Sequence, residues 1–370
     1  MKTMLIIVLL LSSLWVNAQS PKKPAKEPEE SINIKLAKFP IPDFPKKSIA
    51  VSDIRIIQMV RDSVRMGYAL KGMDNYVVTL KITKPLTSFL QDHIYRMYKH
   101  EFKKQGIKIL WVLKDLRMGE KTAFMEYAYT RFNADAYISK DENLFKKACT
   151  IDTVFVVESG GDLSKWHGED IENAFGVLSK RVLLGAKNVL DQTAEEMTVE
   201  QIMAQSYQNL NAPILTDSIY NEGAYASFEE FLQNKPSIQK YEPVVIDKKS
   251  IKFITKHQDK YADTLDIWGI CKAGEIYKYY EESLIPIEKQ GTGFIISNFI
   301  KNSNRRNRNI VFLSMMGGIA GGAVGGIVVG VVANAAKNKL LLVKSIPYII
   351  KSNKQPVASC IDMKTGELSF

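Results

Sequence analysis

Apolar and polar residues alternate along several stretches of the first half of the chain and recur at helical spacing along two others. Residues 48–57 (SIAVSDIRII) and 75–82 (NYVVTLKI) carry β-branched side chains and predict strands. Pro85 opens a predicted helix at its first turn, where a missing N–H costs nothing. Leu86, Phe89, Leu90, Ile94, Met97, Tyr98 and Phe102 form its apolar stripe, and Lys103-Lys104 followed by Gly106 supply a stop. Residues 107–113 (IKILWVL) predict a third strand. Residues 121–139 alternate through Phe124, Glu126, Ala128 and Thr130, as one or two strands with one wetted face would. Residues 148–157 predict another strand. A second helix is expected over 170–190, its buried side formed by Ile171, Phe175, Leu178, Val182, Ala186 and Val189. This order predicts an α+β fold, an antiparallel-type sheet with two helices on one face.

The second half reads differently. Ser227 with Glu230 three residues on forms a predicted capping box for a short helix anchored by Phe228, Phe231 and Leu232 and stopped by Pro236. Residues 266–280 predict a hairpin turning at Lys272-Ala273-Gly274-Glu275, and residues 282–296 continue as strands that bend at Gly291 and Gly293. Residues 359–370 predict two short strands around Lys364-Thr365-Gly366-Glu367. A β-rich second domain follows from these signals.

Within it lies a segment of another kind. Residues 311–336, VFLSMMGGIAGGAVGGIVVGVVANAA, carry no charge. Gly318, Gly322, Gly326 and Gly330 recur every fourth residue, with Gly317, Gly321 and Gly325 one step behind. On a helix this spacing makes a smooth groove for close backbone approach. In water each glycine costs a helix roughly 1 kcal/mol relative to alanine. A glycine-repeat apolar helix is therefore expected to press against lipid, its own domain or another copy. Its length suits one crossing of a hydrocarbon core about 30 Å thick. If residues 359–370 join the sheet of the 266–280 hairpin, however, both flanks lie on one side of any membrane. Three readings stand: a re-entrant or surface-lying segment, a helix packed on the domain or on a second copy, or a single crossing with the last strands outside that sheet.

The N-terminal 18 residues have Lys2, an apolar core and Val16-Asn17-Ala18, the pattern of a secretory signal cleaved after Ala18. Residues 19–46 read as a Pro- and charge-rich linker, 47–191 as the α+β domain, 192–211 as a connector and 212–370 as the β-rich domain. Export to the periplasm or to an outer-membrane-associated position is expected.

The formal net charge of +10 adds attraction to anionic surfaces, although most lysines read as solvated. The exception is 301–309, KNSNRRNRN, whose Arg305, Arg306 and Arg308 precede the apolar segment, with Lys337, Lys339 and Lys344 after it. Charge on both flanks suits a segment touching an anionic membrane and equally a soluble loop. Aromatic residues are not interleaved with these arginines, so nucleic acid is not an expected partner.

Candidate chemistry is sparse. Cys149, Cys271 and Cys360 form no CxxC, leaving two readings: a Cys271–Cys360 disulfide or buried thiols. His93 and His100 read as polar residues on the first helix, beside Asp92 and Glu101. Trp166 and His167 precede the second helix; they shape a small polar site with Glu169 and Asp170, or Asp170 serves the helix dipole. Ser159-Gly160-Gly161-Asp162 is not a nucleophile elbow, and neither a P-loop nor GxGxxG occurs. No catalytic residue, metal or cofactor is expected.

Two resemblances add to this reading. VSDIR, the helix ending in KKQG before IKILWVLKDLR, and the late helix make residues 45–191 similar in pattern to auxiliary lipoprotein components of bacterial envelope lipid transporters. The departure is that no cysteine follows the apolar leader, so no lipid attachment site is present. GAYASFEEFLQNKPS, DIWGICKAGEIY, LIPIEKQGTGF and DMKTGELSF make residues 212–370 resemble a family of uncharacterised secreted proteins of the Bacteroidetes. The resemblance implies a lineage and an envelope or secreted address, and no activity. The expectation is a non-enzymatic exported envelope protein, a binding or assembly module with a membrane lipid, an envelope protein or another copy as partner. The alternatives are a soluble periplasmic hydrolase or ligand-binding enzyme, and a subunit of an envelope transport or secretion complex.

Overall fold

Eight strands form the first sheet of the computed structural model: β1 (Ser31–Asn33), β2 (Val51–Gln58), β3 (Arg65–Lys71), β4 (Tyr76–Lys81), β5 (Ile107–Thr122), β6 (Glu126–Ser139), β7 (Phe145–Ser159) and β8 (Glu196–Met197). The structure describes residues 30–36, 49–72, 74–122, 125–141, 143–161, 163–206, 211–246, 250–257, 261–306, 341–343 and 354–370. The order is β1-β4-β3-β5-β6-β7-β8, with β2 alongside β5. The long strands β5, β6 and β7 are antiparallel neighbours, whereas β2–β5 and β1–β4 are parallel.

A register shift between Leu113 and Asp115 keeps β5 in phase over its 16 residues. Ile107, Ile109, Trp111 and Leu113 before it, and Leu116 and Met118 after it, all enter one core. That core is closed by α1 (Leu86–Tyr98) and α2 (Trp166–Asp191), which contribute Leu90, Ile94, Ile171, Phe175, Leu178 and Val182. Phe175 stacks on Trp111, with ring centroids 5.0 Å apart. The expected α+β arrangement, two helices on one face of a sheet, is the one formed. Helix α1 ends at Tyr98, earlier than its stripe and the Lys103–Gly106 stop suggest. Lys99–Glu101 tighten into a 3₁₀ turn and Phe102 is extended, because the Lys103 N–H bonds the Val51 carbonyl at 2.8 Å and draws the chain back to the sheet. Strand β3 escaped the alternation signal because Gly67 interrupts it. The register shifts there, and a Cβ at Gly67 would meet the Met118 carbonyl oxygen at 1.8 Å.

The opposite face of the first sheet is covered in two places. Near the start of β5, Leu110, Val112, Tyr137 and Phe145 pack on Ile202 of α3 (Val199–Ser206). This helix and β8 occupy the expected connector. Towards the end of β5, Tyr68, Val77, Tyr127 and Tyr129 share a core with residues of the second half.

After α4 (Pro213–Thr216), the second half forms β9 (Gly223–Tyr225), α5 (Phe228–Leu232) and a small sheet of β10 (Glu242–Val245), β11 (Ile251–His257) and β12 (Tyr261–Thr264). Strands β13 (Gly269–Lys272), β14 (Glu275–Tyr280), β15 (Ser283–Gln290), β16 (Gly293–Ile296), β17 (Cys360–Ile361) and β18 (Leu368–Ser369) then build a seven-stranded antiparallel sheet in the order β18-β17-β16-β15-β14-β13-β9.

The predicted turns are where the sequence puts them. Ala273 and Gly274, at φ 53° and 74°, make the two-residue turn between β13 and β14. Ser227 Oγ caps α5 by accepting from Glu230 N, while the Glu230 carboxylate reaches past Ser227 to the Ala226 N–H at 2.8 Å. Gly366 sits at φ 77°, and a Cβ there would strike the Phe228 ring at 2.4 Å. Its carbonyl accepts from Trp268 Nε1 at 3.0 Å, which ties the last turn to the aromatic core.

The last strands thus belong to the sheet that holds the 266–280 hairpin. The single-crossing reading of residues 311–336 required them elsewhere and is set aside. Among the described residues no helix is long and apolar enough to cross a membrane, which says nothing of strands.

Candidate functional site

The strongest structural signal lies where the chain approaches and leaves the apolar segment. Residues 299–306 are helical. Phe299 packs on Tyr68, ring centroids 4.9 Å apart, and fixes the start of this helix on the first sheet. Asn304, buried, holds the backbone of Val77 in both directions: Oδ1 accepts from Val77 N, and Nδ2 donates to the Val77 carbonyl at 3.0 Å. One face of the run KNSNRR is therefore docked, with Ser303 and Asn304 buried, while Lys301 and Arg305 are exposed.

Arg306 is half-buried; loss of hydration lowers its guanidinium's proton affinity, and its Nη2 lies 3.5 Å from Ser303 Oγ. The two arginines thus differ: Arg305 faces solvent and Arg306 turns along the protein surface. Arg308, Gly318, Gly322, Gly326 and Gly330 lie outside the described residues.

The returning chain is held as firmly. Leu341–Val343 pair with 356–358 through Ala358 N to the Leu341 carbonyl at 2.8 Å and Val343 N to the Pro356 carbonyl at 3.0 Å. Side chains of the first sheet grip this pair: Tyr68 Oη donates to the Val357 carbonyl at 2.7 Å and Lys121 Nζ to the Gln355 carbonyl at 2.9 Å. Lys354 Nζ meets Glu158 Oε2 at 2.8 Å.

Departure and return meet at one small cavity of about 30 Å³, whose lining includes Ile285, Ile296, Phe299, Arg306, Leu341 and Val357. A space of that size is room for about two waters. Its value is positional: Arg306 and Leu341 line the same niche, so the intervening residues leave and rejoin the body at one place.

A second constellation is internal. His167, in the first turn of α2, reaches two strands at once. Its Nε2 lies 3.1 Å from Glu120 Oε1 on β5, and its Nδ1 lies 3.1 Å from Thr130 Oγ1 on β6. Thr130 Oγ1 is 2.8 Å from Asp170 Oδ2, and Glu120 Oε2 accepts from Leu70 N at 2.7 Å. All four side chains are buried. Burial pushes the Asp170 carboxyl up to about 6, against the opposing pull of Thr130 and His167.

The Thr130 hydroxyl and the His167 ring can each donate or accept, so the bonds of this chain of groups close among the four side chains, which are sealed from solvent.

The sequence expectation of a polar site around His167 is met in part and corrected in part. Asp170 belongs to it, whereas Glu169 is half-exposed and the other members, Glu120 and Thr130, come from distant strands. Glu120 left a signal: it falls in phase with Leu116 and Met118, at an inward position of its strand.

The expectation for His93 is corrected too. It is buried on α1, facing Glu172 of α2 at 3.5 Å, and burial with the nearby Arg96 lowers its pKa to about 4. His100 is exposed beside Glu101 as expected. Of the two cysteine readings, buried thiols hold for Cys271 and Cys360, and all three cysteines are free. Cys271 on β13 and Cys360 on β17 stand four strands apart in one sheet, about 19 Å at the usual spacing, too far for a disulfide. Arg117 Nη1 lies 3.1 Å from Cys360 Sγ, yet burial dominates and pushes that thiol up. Among the described residues no group of three or more His, Cys, Asp or Glu side chains converges as a metal site.

No protein-family model matches the chain, and no curated protein matches it. Among solved structures, the chain is similar to the crystal structure of protein XCC0632 from Xanthomonas campestris, of family DUF330. The identity is 12%, the match covers 44% of this chain and 100% of that one, and the TM-score is 0.32. At that score the likeness carries no argument.

Proposed function

We propose that the protein is an exported, non-enzymatic component of the cell envelope, a binding or assembly module whose residues 311–336 contact an apolar partner, a lipid bilayer or a second copy of the chain. The observation that carries this reading is the shared niche of Arg306 and Leu341. A segment whose two ends attach to one folded body either dips into a bilayer and returns on the same side or packs against protein. Its uncharged sequence and fourfold glycine spacing favour close packing in both cases. The flanks add support: Arg305 is exposed beside the departure point. The secretory-type leader supplies the address.

The enzyme reading receives less support. The carboxyl raised to about 6, Asp170, and the histidine lowered to about 4, His93, are both buried.

The test replaces Gly322 and Gly326 with Leu and compares the soluble, peripheral and integral pools and the oligomer size with those of the parent. A shift out of the membrane pool or to a smaller species is expected. Unchanged pools and size overturn the proposal.

A further inference from the structure

The helical layer presents a second surface, on the face of the first sheet opposite to the niche. Helices α1 and α2 run in the same direction, because His93 meets Glu172 at 3.5 Å and, five residues further on, Tyr98 meets Ser179 at 3.0 Å. The C-terminal part of α1 and its following turn therefore lie beside the second half of α2. Exposed cations gather there: Arg96, Lys99, Lys103 and Lys104 from the first, Lys180 and Lys187 from the second.

Acidic side chains on this layer are buried, placed apart or engaged. Asp170 and Glu172 of α2 are buried, Asp92 pairs with Lys84, Glu101 lies beside His100, and Glu169 and Asp191 stand at the two ends of α2. Among the described residues none of the six cations has an ion-pair partner.

Two bland explanations fall short. Helix dipoles favour cations in a last turn, yet the last turn of α2 has no basic residue, and Lys180 and Lys187 lie before it. A solvated face also carries single exposed apolar groups, yet on these two helices three large ones accompany the cations. Here Leu184 is 62% exposed, Tyr95 55% and Val177 41%.

Basic side chains around protruding apolar ones suit the interface of an anionic bilayer, where the cations meet headgroup phosphates and the apolar groups enter the acyl boundary. We propose that the α1–α2 face docks on anionic phospholipid. This goes beyond the role given to the apolar segment and does not rest on it. The helical face and the niche look in opposite directions across the first sheet.

The experiment is co-sedimentation of the full mature chain with vesicles of phosphatidylglycerol and phosphatidylcholine in equal parts, and with vesicles of phosphatidylcholine alone. Binding to the mixed vesicles, little to the neutral ones, and release at about 0.5 M salt are expected, since charges there are screened within a few ångströms. Lys99→Glu, Lys180→Glu and Lys187→Glu combined should weaken binding more than about tenfold. A control at Lys272→Glu on the second sheet should change it little. Gly322→Leu with Gly326→Leu should leave the salt-sensitive part intact, which separates failure of this proposal from failure of the previous one. Equal binding to both vesicle types, or full binding by the triple variant, overturns it. Capture by a soluble acidic polysaccharide without vesicle binding overturns it in favour of that partner.

Discussion

Asn304 and Val77 hold one another by both amide groups, the side-chain amide of one against the backbone of the other. Through this pair a helix from the second half of the chain is stitched to an inner strand of the first sheet, just before the chain leaves for the apolar segment. Asn304→Ala strands a buried N–H and a buried carbonyl, and the expected loss is about 2–3 kcal/mol. Denaturant unfolding measures it. Hydrogen exchange at the Val77 amide should accelerate in the variant while amides deep in α2 keep their protection.

Glu120 and His167 are two members of the buried quartet. His167→Ala leaves Glu120 with the Leu70 N–H but without its ring partner, and a loss of roughly 3–5 kcal/mol is expected. Because the two groups act as a unit, Glu120→Gln combined with His167→Gln should cost clearly less than the sum of the two single changes. Additive losses in a double-mutant cycle would contradict the coupling.

Asp170 and His93 give opposite pH signatures. The folded carboxyl of Asp170 titrates at about 6, above its unfolded value near 3.9, so its contribution is full below about pH 4 and is lost as pH rises through 6. The stability of the parent relative to Asp170→Asn should therefore rise by roughly 2 kcal/mol between pH 7.5 and pH 4. His93 titrates at about 4 in the folded state, below its unfolded value near 6.5. Its contribution is full above about 6.5 and is lost as pH falls towards 4, so the parent should lose ground to His93→Gln over the same interval. Stability curves of the three proteins across that range check both signs.

Much of the architecture was legible because local rules carried it. The α2 stripe from Ile171 to Ala186, the Ala273-Gly274 turn, the Ser227 cap and the Gly366 turn are each decided by residues close in sequence. What escaped depended on distant partners. Gly67 breaks the alternation of β3 because its backbone must meet Met118, fifty-one residues on. The true end of α1 is set by a bond from Lys103 to Val51.

The site was legible to a lesser degree. The basic run before residue 307 reads as one charged block, yet the fold splits it into buried Ser303 and Asn304, half-buried Arg306 and exposed Lys301 and Arg305. That division follows from the face docked on β4, which no spacing in the run announces. Glu120 and Thr130 reach His167 only when the β5–β6 ladder is in register. His167 and Asp170, three residues apart on one helix, were the part of the quartet open to view.

The proposed envelope role requires a body that is complete without residues 311–336 and an apolar contact made by that segment. Replacing the segment with a short Gly/Ser linker tests both, because Arg306 and Leu341 already border one niche. Fractionation and sizing are done at high salt, where binding through the basic helical face is screened. An unfolding midpoint close to that of the parent is expected, together with loss of the membrane-retained or self-associated pool. A folded variant whose pools and size match the parent would contradict it.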